Sequence, residues 1–321
     1  MILVTGASGF VGSALVKHLA QQGFRVRACS RYRTVSANEF VDVGLKVDLL
    51  TVQDLKPLLE GVSCVVHAAA RVHVMRETSN DPLADFRLMN VEVTLRLARQ
   101  AAAAGVKRFI FLSTIKVNGE SSPLDRPFTA TDQPNPQDAY AISKLEAERG
   151  LQQIATETGL EVVIIRPPLV YGPGVSANFG RLLAWVNKGI PLPLGCVTAN
   201  RRSFVAIDHL VDLIVVCLTH PKAANQTFLI SDGHDVSTAE LLRCMAKALN
   251  RKALLVPVPV RLLASAAKLL GATEAAQRLL QSLQVDIVKN EALLGWTPPF
   301  SLEQGLQRVS QANKLRGVVK A

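Results

Sequence analysis

Thr5-Gly6-Ala7-Ser8-Gly9-Phe10-Val11-Gly12 lies between two patterns that belong to different kinds of secondary structure. Ahead of it, Ile2–Thr5 is a short apolar run of the sort a buried strand requires. Behind it, Val11–Gln22 carries apolar residues at helical spacing. A strand that turns at once into a helix needs glycines where the turn is tight and where another group must approach the backbone. The helix then begins with free N–H groups and the positive end of its dipole, which together suit a phosphate. The spacing is GxxGxxG rather than GxGxxG. Glycine alone is a weak signal, but this placement points to a bound dinucleotide, with Gly6, Ser8, Gly9, Phe10, Val11 and Gly12 as its contacts.

The alternation continues outward from the turn. Strands are expected at Arg25–Cys29, Lys46–Asp48, Cys64–His67, Arg108–Leu112 and Glu161–Arg166, and helices at Val52–Leu59, Pro82–Ala104 and Ala139–Thr158. All-apolar strands such as Val162–Ile165 fit a sheet buried on both faces. The fold class that follows is α/β, a Rossmann-type doubly wound parallel sheet. After Arg166 the rhythm breaks at Pro167, Pro168, Gly172, Pro173 and Gly174. A helix at Ala177–Lys188, strands at Ser203–Ile207 and Thr227–Ile230, and a helix at Asp208–Leu218 come next. The rest is mostly helical. Residues 1–166 and 203–232 are assigned to a dinucleotide-binding domain, and residues 167–202 and 233–321 to a smaller substrate-binding region.

Composition narrows the class of partner. The 321 residues are 19% charged and 49% hydrophobic, which is globular rather than disordered. Lys and Arg outnumber Asp and Glu by 36 to 26, a net charge of +10 that favours anionic ligands. The cations are scattered and no basic stripe carries interleaved aromatics, so nucleic acid is not expected. Five cysteines form no CxxC pair and read as reduced thiols of a cytoplasmic protein. Six histidines show no metal spacing, and no metal is expected. Met1–Thr5 enters a strand with no basic leader. The most apolar later stretch, Ala253–Leu270, is interrupted by Pro257 and Pro259 and charged by Arg261 and Lys268. No membrane span is expected there; a core helix is favoured over a weak contact with a membrane surface.

The end of the second strand bears on which dinucleotide binds. A carboxylate there would hold the ribose 2′-hydroxyl of NAD, whereas an arginine holds the 2′-phosphate of NADP. The residues are Ser30-Arg31-Tyr32-Arg33, and Asp42 lies much further on. NADP(H) is therefore favoured, with Ser30 and Arg31 on the phosphate and Arg33 as a helper, and NAD(H) is the alternative. Asp48 and Leu49 end the next strand, beside the adenine. Ala68, Ala69 and Ala70 are small enough to let the backbone pass along the cofactor.

Tyr140-Ala141-Ile142-Ser143-Lys144 puts a phenol and an ammonium on one helix face, one turn apart. A phenol with its ordinary pKa of about 10 is a poor base near neutrality, and a neighbouring cation lowers that value. The fifth strand ends in Leu112-Ser113-Thr114, which places a hydroxyl beside a reacting centre.

The glycine turn, Ser113-Thr114 with Val117 and Gly119, Tyr140 with Lys144, Arg166-Pro167, Arg202-Ser203-Phe204-Val205 with Asp208, and Leu294-Gly295-Trp296-Thr297-Pro298 together resemble the extended short-chain dehydrogenase/reductases of the NAD-dependent epimerase/dehydratase type. The likeness covers nearly the whole chain and is strongest to the branch that acts on nucleotide sugars. It implies that Tyr140 exchanges a proton with the substrate oxygen, that Thr114 hydrogen-bonds that oxygen, and that Lys144 also holds the nicotinamide ribose. It further implies Asn90 and Pro167 at the cofactor, Asn178 and Arg202 on the diphosphate of a UDP-sugar, and a homodimer formed through the Pro82–Ala104 and Tyr140 helices.

Dehydratases of this branch carry acidic residues directly after the catalytic hydroxyl, where this chain has Ile115 and Lys116. Dehydration is thereby disfavoured. Val117-Asn118-Gly119 replaces the usual Val-Tyr-Gly, and the loop Arg71-Val72-His73-Val74-Met75-Arg76 is distinctive. These features resemble bacterial reductases of UDP-linked 4-keto-6-deoxy-N-acetylhexosamines that serve surface polysaccharide (O-antigen) synthesis. The expectation is an NADPH-dependent 4-reductase, with His73, Arg76 and Lys116 either facing the sugar or standing as solvated loop charges. The alternatives are an NAD-dependent UDP-hexose 4-epimerase using the same residues, a reductase of a small hydrophobic ketone, and a non-catalytic dinucleotide sensor.

Overall fold

The computed structural model describes residues 1–31, 41–72, 81–175 and 177–315. The apolar run Ile2–Thr5 forms β1 and is buried along its whole length. The glycine turn leads into α1 (Phe10–Gln21), which returns the chain to β2 (Val26–Ser30) and β3 (Val41–Lys46) on one side of β1. The short α2 (Lys56–Leu59) then delivers β4 (Cys64–His67) to the other side. Residues 82–103 follow as α3 (Pro82–Arg87), a π-helical turn over Leu88–Glu92, and α4 (Val93–Ala103). Next come β5 (Arg108–Leu112), α5 (Ala139–Thr158), β6 (Glu161–Arg166), β7 (Leu169–Tyr171), α6 (Ala177–Asn187), β8 (Phe204–Ala206), α7 (Ile207–Thr219) and β9 (Gln226–Leu229).

Seven strands make one parallel sheet in the order β3-β2-β1-β4-β5-β6-β9. The order reverses between β1 and β4, and in open α/β sheets a ligand crevice forms outside the carboxyl ends of strands at such a point. On one face Leu15, Val16 and Leu19 of α1 pack with Leu210 and Ile214 of α7. On the other, Leu97 and Ala101 of α4 pack with Leu151 and Ile154 of α5. Burial on both faces explains why the central strands β1, β4, β5 and β6 read as mostly apolar runs.

A second core lies off the sheet, around Tyr171, Phe179, Phe204, Leu242, Met245 and Leu306. It joins α6 to α8 (Thr238–Ala248) and to α12 (Leu302–Leu315), with α9 (Val260–Leu269), α10 (Thr273–Leu280) and α11 (Val288–Leu294) between the last two. This region is mostly helical, as expected. Among the described residues no helix is long and apolar enough to cross a membrane, and no cluster of potential metal ligands occurs.

Four local differences from the sequence reading have physical causes. The third strand lies at Val41–Lys46 rather than Lys46–Asp48, because Asp48 accepts the Leu50 amide in a turn instead of extending the strand. The expected helix Val52–Leu59 shortens to Lys56–Leu59, where Pro57 fits the first turn and the Asp54 carboxylate takes the Lys56 amide. The helix Pro82–Ala104 is interrupted by a π turn. Leu169–Tyr171 forms a parallel pair with Phe204–Ala206 apart from the main sheet, and three residues are too few to show a period.

Candidate active site

The crevice at the strand reversal is an open cleft. Gly6, Ser8, Gly9, Ser30, Arg31, Leu49, Ala68, Ala69 and Ala70 line it, all expected from the sequence. Cys29, Val47 and Met89 also line it and were not foreseen, since nothing in an apolar strand or helix residue advertises an exposed flank. Phe10, Val11 and Gly12 begin α1 outside this lining. Asp48 turns its carboxylate onto the Leu50 amide at 3.0 Å, and the Pro167 carbonyl accepts the Ile115 amide at 3.0 Å. Arg33, His73 and Arg76 lie outside the described residues.

Gly6 is required twice over. Its φ of +68° suits glycine, and a Cβ there would sit 2.7 Å from the Ala69 nitrogen across the reversal. At Gly12 a Cβ would meet the Gly6 carbonyl oxygen at 2.2 Å, so the helix can seat on the turn only without one. Gly6→Ala is therefore expected to cost about 1–2 kcal/mol for the backbone conformation and about 1–3 kcal/mol for overpacking. Urea unfolding of the variant should show a lower midpoint, and dinucleotide should no longer co-purify. An unchanged midpoint would mean that the turn relaxes freely. These tight approaches, with three alanines beyond β4, fit an extended dinucleotide laid along the backbone.

Behind the cleft a polar relay joins three elements. His67, fully buried at the end of β4, places Nδ1 2.7 Å from Thr5 Oγ1 and Nε2 3.0 Å from Thr94 Oγ1. The Thr94 hydroxyl proton goes to the Asn90 carbonyl at 2.7 Å, so the network assigns the His67 proton to Nε2 and makes Nδ1 an acceptor from Thr5. Burial, and then the charge on Lys144, push the His67 pKa down to about 3, which keeps the ring neutral. Asn90 sits inside the π turn. Its side chain accepts the Arg71 amide at 2.8 Å and donates to the Arg71 carbonyl and the Ser143 hydroxyl, each at 3.0 Å. The wide turn thus lets one residue of a helix tie the segment after β4 to α5, and π turns recur at functional sites.

Asp138 caps α5 by accepting the Ala141 amide at 2.7 Å, and Thr114 caps the 3-10 turn Ile115–Val117 that follows β5. Lys116 bridges the two caps. Its Nζ lies 2.6 Å from Asp138 and 2.7 Å from Glu120, which brings the Thr114 turn against the start of the Tyr140 helix. Lys116 was expected to face a sugar, but its ammonium is already held by two carboxylates.

Lys144 is only 1% exposed, and its Nζ lies 4.0 Å from the centre of the Phe111 ring on β5. Burial lowers its pKa to about 7, against a smaller opposing effect of Glu148. Tyr140 stacks edge-on against Phe86, with 5.9 Å between ring centres. Burial first, and then the Asp138 charge, hold its pKa well above the usual phenol value. This is the reverse of the lowering expected from the sequence. The ammonium caps an aromatic face and is itself losing charge, so burial prevails over its field.

Glu148 continues the face of Tyr140 and Lys144 by one further turn, a spacing that could have revealed it. Its carboxylate accepts from the Ser113 hydroxyl and from Arg166, at 3.0 Å for Nε and 2.5 Å for Nη2. Arg166 Nη1 also donates to Asn118 at 2.9 Å. The pair is buried but fully hydrogen-bonded, and it locks α5 to the ends of β5 and β6.

Arg202, expected on a substrate diphosphate, is half-buried, and its Nη1 donates to the Gln281 carbonyl at 3.0 Å. Burial lowers its pKa to about 10; Glu120 opposes this and Arg278 adds to it. Glu120 thus stands between Lys116 and Arg202. Asp208 pairs with Arg308 at 3.0 Å rather than with Arg202. Asn178 is exposed on α6, where its side-chain oxygen accepts from Arg181 at 2.9 Å.

Comparison with known proteins bears on this geometry. The model of the NAD dependent epimerase/dehydratase family matches residues 2–231. The chain is 47% identical over 313 residues to a UDP-glucose 4-epimerase of Vibrio cholerae, covering 97% of this chain and 94% of the relative. MoeE5, solved in complex with UDP-glucuronic acid and NAD, is 25% identical with a TM-score of 0.79, covering 98% of this chain and 99% of its own. A UDP-glucuronic acid 4-epimerase from Bacillus cereus, solved with NAD, shares the fold at 23% identity and a TM-score of 0.79 over 99% of both chains.

These relatives overturn the expectation of an NADPH-dependent 4-keto-sugar reductase and support its epimerase alternative. The reason is chemical. A hydroxyl with a Tyr–Lys pair, the roles expected of Thr114, Tyr140 and Lys144, would move a proton on a substrate oxygen in either reaction, and that task is the same whether the hydride is supplied by the cofactor or borrowed from the sugar and returned. The features that favoured a reductase were the Ser30-Arg31 strand end, Val117-Asn118-Gly119, where Asn118 accepts from Arg166, and a loop from Arg71 to Arg76 that falls largely outside the described residues. A preference for NADP gains no support from structures that hold NAD. The chain is an enzyme and belongs to the NAD dependent epimerase/dehydratase family.

Proposed function

We propose that this chain is a UDP-hexose 4-epimerase that keeps NAD bound through turnover. The observation that carries the reading is the 47% identity to a UDP-glucose 4-epimerase over 97% of the chain. Gly6, Ser8, Gly9, Ser30, Arg31 and Ala68 to Ala70 would hold the dinucleotide, with Lys144 beneath it. When bound, the dinucleotide supplies a reversible hydride acceptor. Tyr140 Oη takes the proton of the sugar C4 hydroxyl as that carbon is oxidised, and returns it when the carbon is reduced from its opposite face. Thr114 Oγ1 hydrogen-bonds the same oxygen and steadies its charge. Arg202, half-buried and near a second cation at Arg278, meets the diphosphate. Asn90 and Glu148 position the machinery without touching substrate. We place the reaction in the cytoplasm, where the five free thiols stay reduced, three of them buried with pKa values pushed up to about 12. We also infer a homodimer through α4 and α5, which light scattering would reveal.

The test is to incubate purified protein with UDP-galactose and follow the sugar protons by NMR. The expected outcome is a mixture of the two C4 epimers, with no net change in nicotinamide absorbance and with NAD released on denaturation. Recovery of unchanged UDP-galactose and UDP-N-acetylgalactosamine, or consumption of dinucleotide in proportion to product, would overturn the reading.

A further inference from the structure

No residue of α9 is buried. Its inward side reaches the protein through half-buried Leu263, which packs with Leu279 and Leu280 against the second core. Its outward side is apolar. Leu262 is 61% exposed and Leu269 88%, and Leu270 just beyond is 81% exposed. Leu262 and Leu269 are seven residues apart and so share one helix face. Arg261 and Lys268, also seven apart, run beside them along the flank. The result is a row of leucines next to a row of cations.

Along this stretch of the chain the charge is one-sided. From Leu241 to Thr273 there is no Asp or Glu, while Arg243, Lys247, Arg251, Lys252, Arg261 and Lys268 all fall within that stretch. Lys247 is paired with Glu303 at 3.0 Å. We propose that the outer face of α9 and the turn after it dock on an anionic lipid surface. Leucines on such a face enter the boundary between headgroups and acyl chains, and flanking cations reach lipid phosphates on their flexible stems. A ten-residue helix is about 15 Å long, half the hydrocarbon thickness, so it lies along the interface and does not cross it. Charge also favours a lipid surface over a second copy of this chain as the occupant. A two-fold contact through this face sets Arg261 and Lys268 against their own counterparts, which is repulsive.

The docked face connects directly to the substrate side. α10 packs along α9 and ends at Leu280, and the next carbonyl, that of Gln281, accepts from Arg202. A membrane under α9 is therefore one helix away from the arginine assigned to the diphosphate. Docking itself depends on no step of the reaction.

Flotation with lipid vesicles tests the proposal on the full chain. Phosphatidylcholine vesicles containing phosphatidylglycerol should carry the protein upward, pure phosphatidylcholine vesicles should not, and raised salt should release it. The double variants Leu262→Asp with Leu269→Asp, and Arg261→Glu with Lys268→Glu, should each lower vesicle partition by about tenfold or more. Val288→Asp, a change at an exposed valine on α11, should leave it unchanged. Turnover of soluble substrate should be the same in all three. Failure of the native chain to float would overturn the proposal, as would equal flotation of the double variants. Loss of a dimer in the leucine variant, seen by light scattering in a chain that never binds vesicles, would assign the face to a second copy instead.

Discussion

Tyr140→Phe is expected to lower kcat for epimerisation by about 10³-fold, within the range that positioned acid–base groups contribute. The change removes one oxygen and leaves the ring against Phe86, so the fold and the bound dinucleotide should survive. KM should move little, because the lost interaction belongs to proton transfer rather than to holding the nucleotide. The raised pKa of Tyr140 sharpens the prediction. In the chain by itself the phenol is protonated throughout the neutral range, and so is ready to donate but not to accept. Turnover requires both directions, so the pH profile of kcat should rise on the alkaline side in the native enzyme and flatten in the variant. A variant with native kcat would remove Tyr140 from the proton path, whatever the reaction proves to be.

Lys144→Met should do two opposite things, abolishing turnover and stabilising the fold. The ammonium is almost fully buried, and its pKa falls from 10.5 to about 7. Between those two values the unfolded chain binds a proton that the folded chain refuses, so native stability rises with pH across that window. Below pH 7 the ammonium is charged in both states and buried in one, and the penalty is complete. At 1.36 kcal/mol per pKa unit the shift corresponds to roughly 4–5 kcal/mol at pH 6, fading to about 2 kcal/mol near pH 9. Methionine of similar length removes the charge, so urea unfolding at pH 6 should show a gain of a few kcal/mol that narrows as pH rises. A pH-independent difference, or a loss of stability at pH 6, would show that the ammonium is better solvated than its burial implies.

Much of the architecture was open to inspection in the chain itself. The four central strands, β1, β4, β5 and β6, follow from their mostly apolar runs, because a strand buried on both faces favours apolar residues along its length. Gly6 follows from the turn it makes, and Tyr140 with Lys144 from helical spacing. Glu148 could have been read from the same spacing. The fate of the charged side chains was not legible in this way. Lys116 was taken for a sugar contact, yet Glu120, four residues on, and Asp138, at the start of the Tyr140 helix, hold it in place. Arg202 and Asp208 stand in one motif six residues apart, yet that carboxylate pairs with Arg308, a hundred residues further on.

The reaction itself divides along the same line. Local sequence determined the parallel sheet, the glycine turn and the placing of Tyr140 and Lys144 on one helix face, because each depends on backbone conformation or on neighbours within one helical turn. Tertiary structure decided the electrostatics. It buried Lys144 over Phe111, raised the pKa of Tyr140 rather than lowering it, opened a π turn so that Asn90 could reach Arg71 and Ser143, and left the leucines of α9 uncovered. Charge and burial are set by whatever lies within a few ångströms, and in a doubly wound sheet those neighbours come from strands and helices distant in the chain.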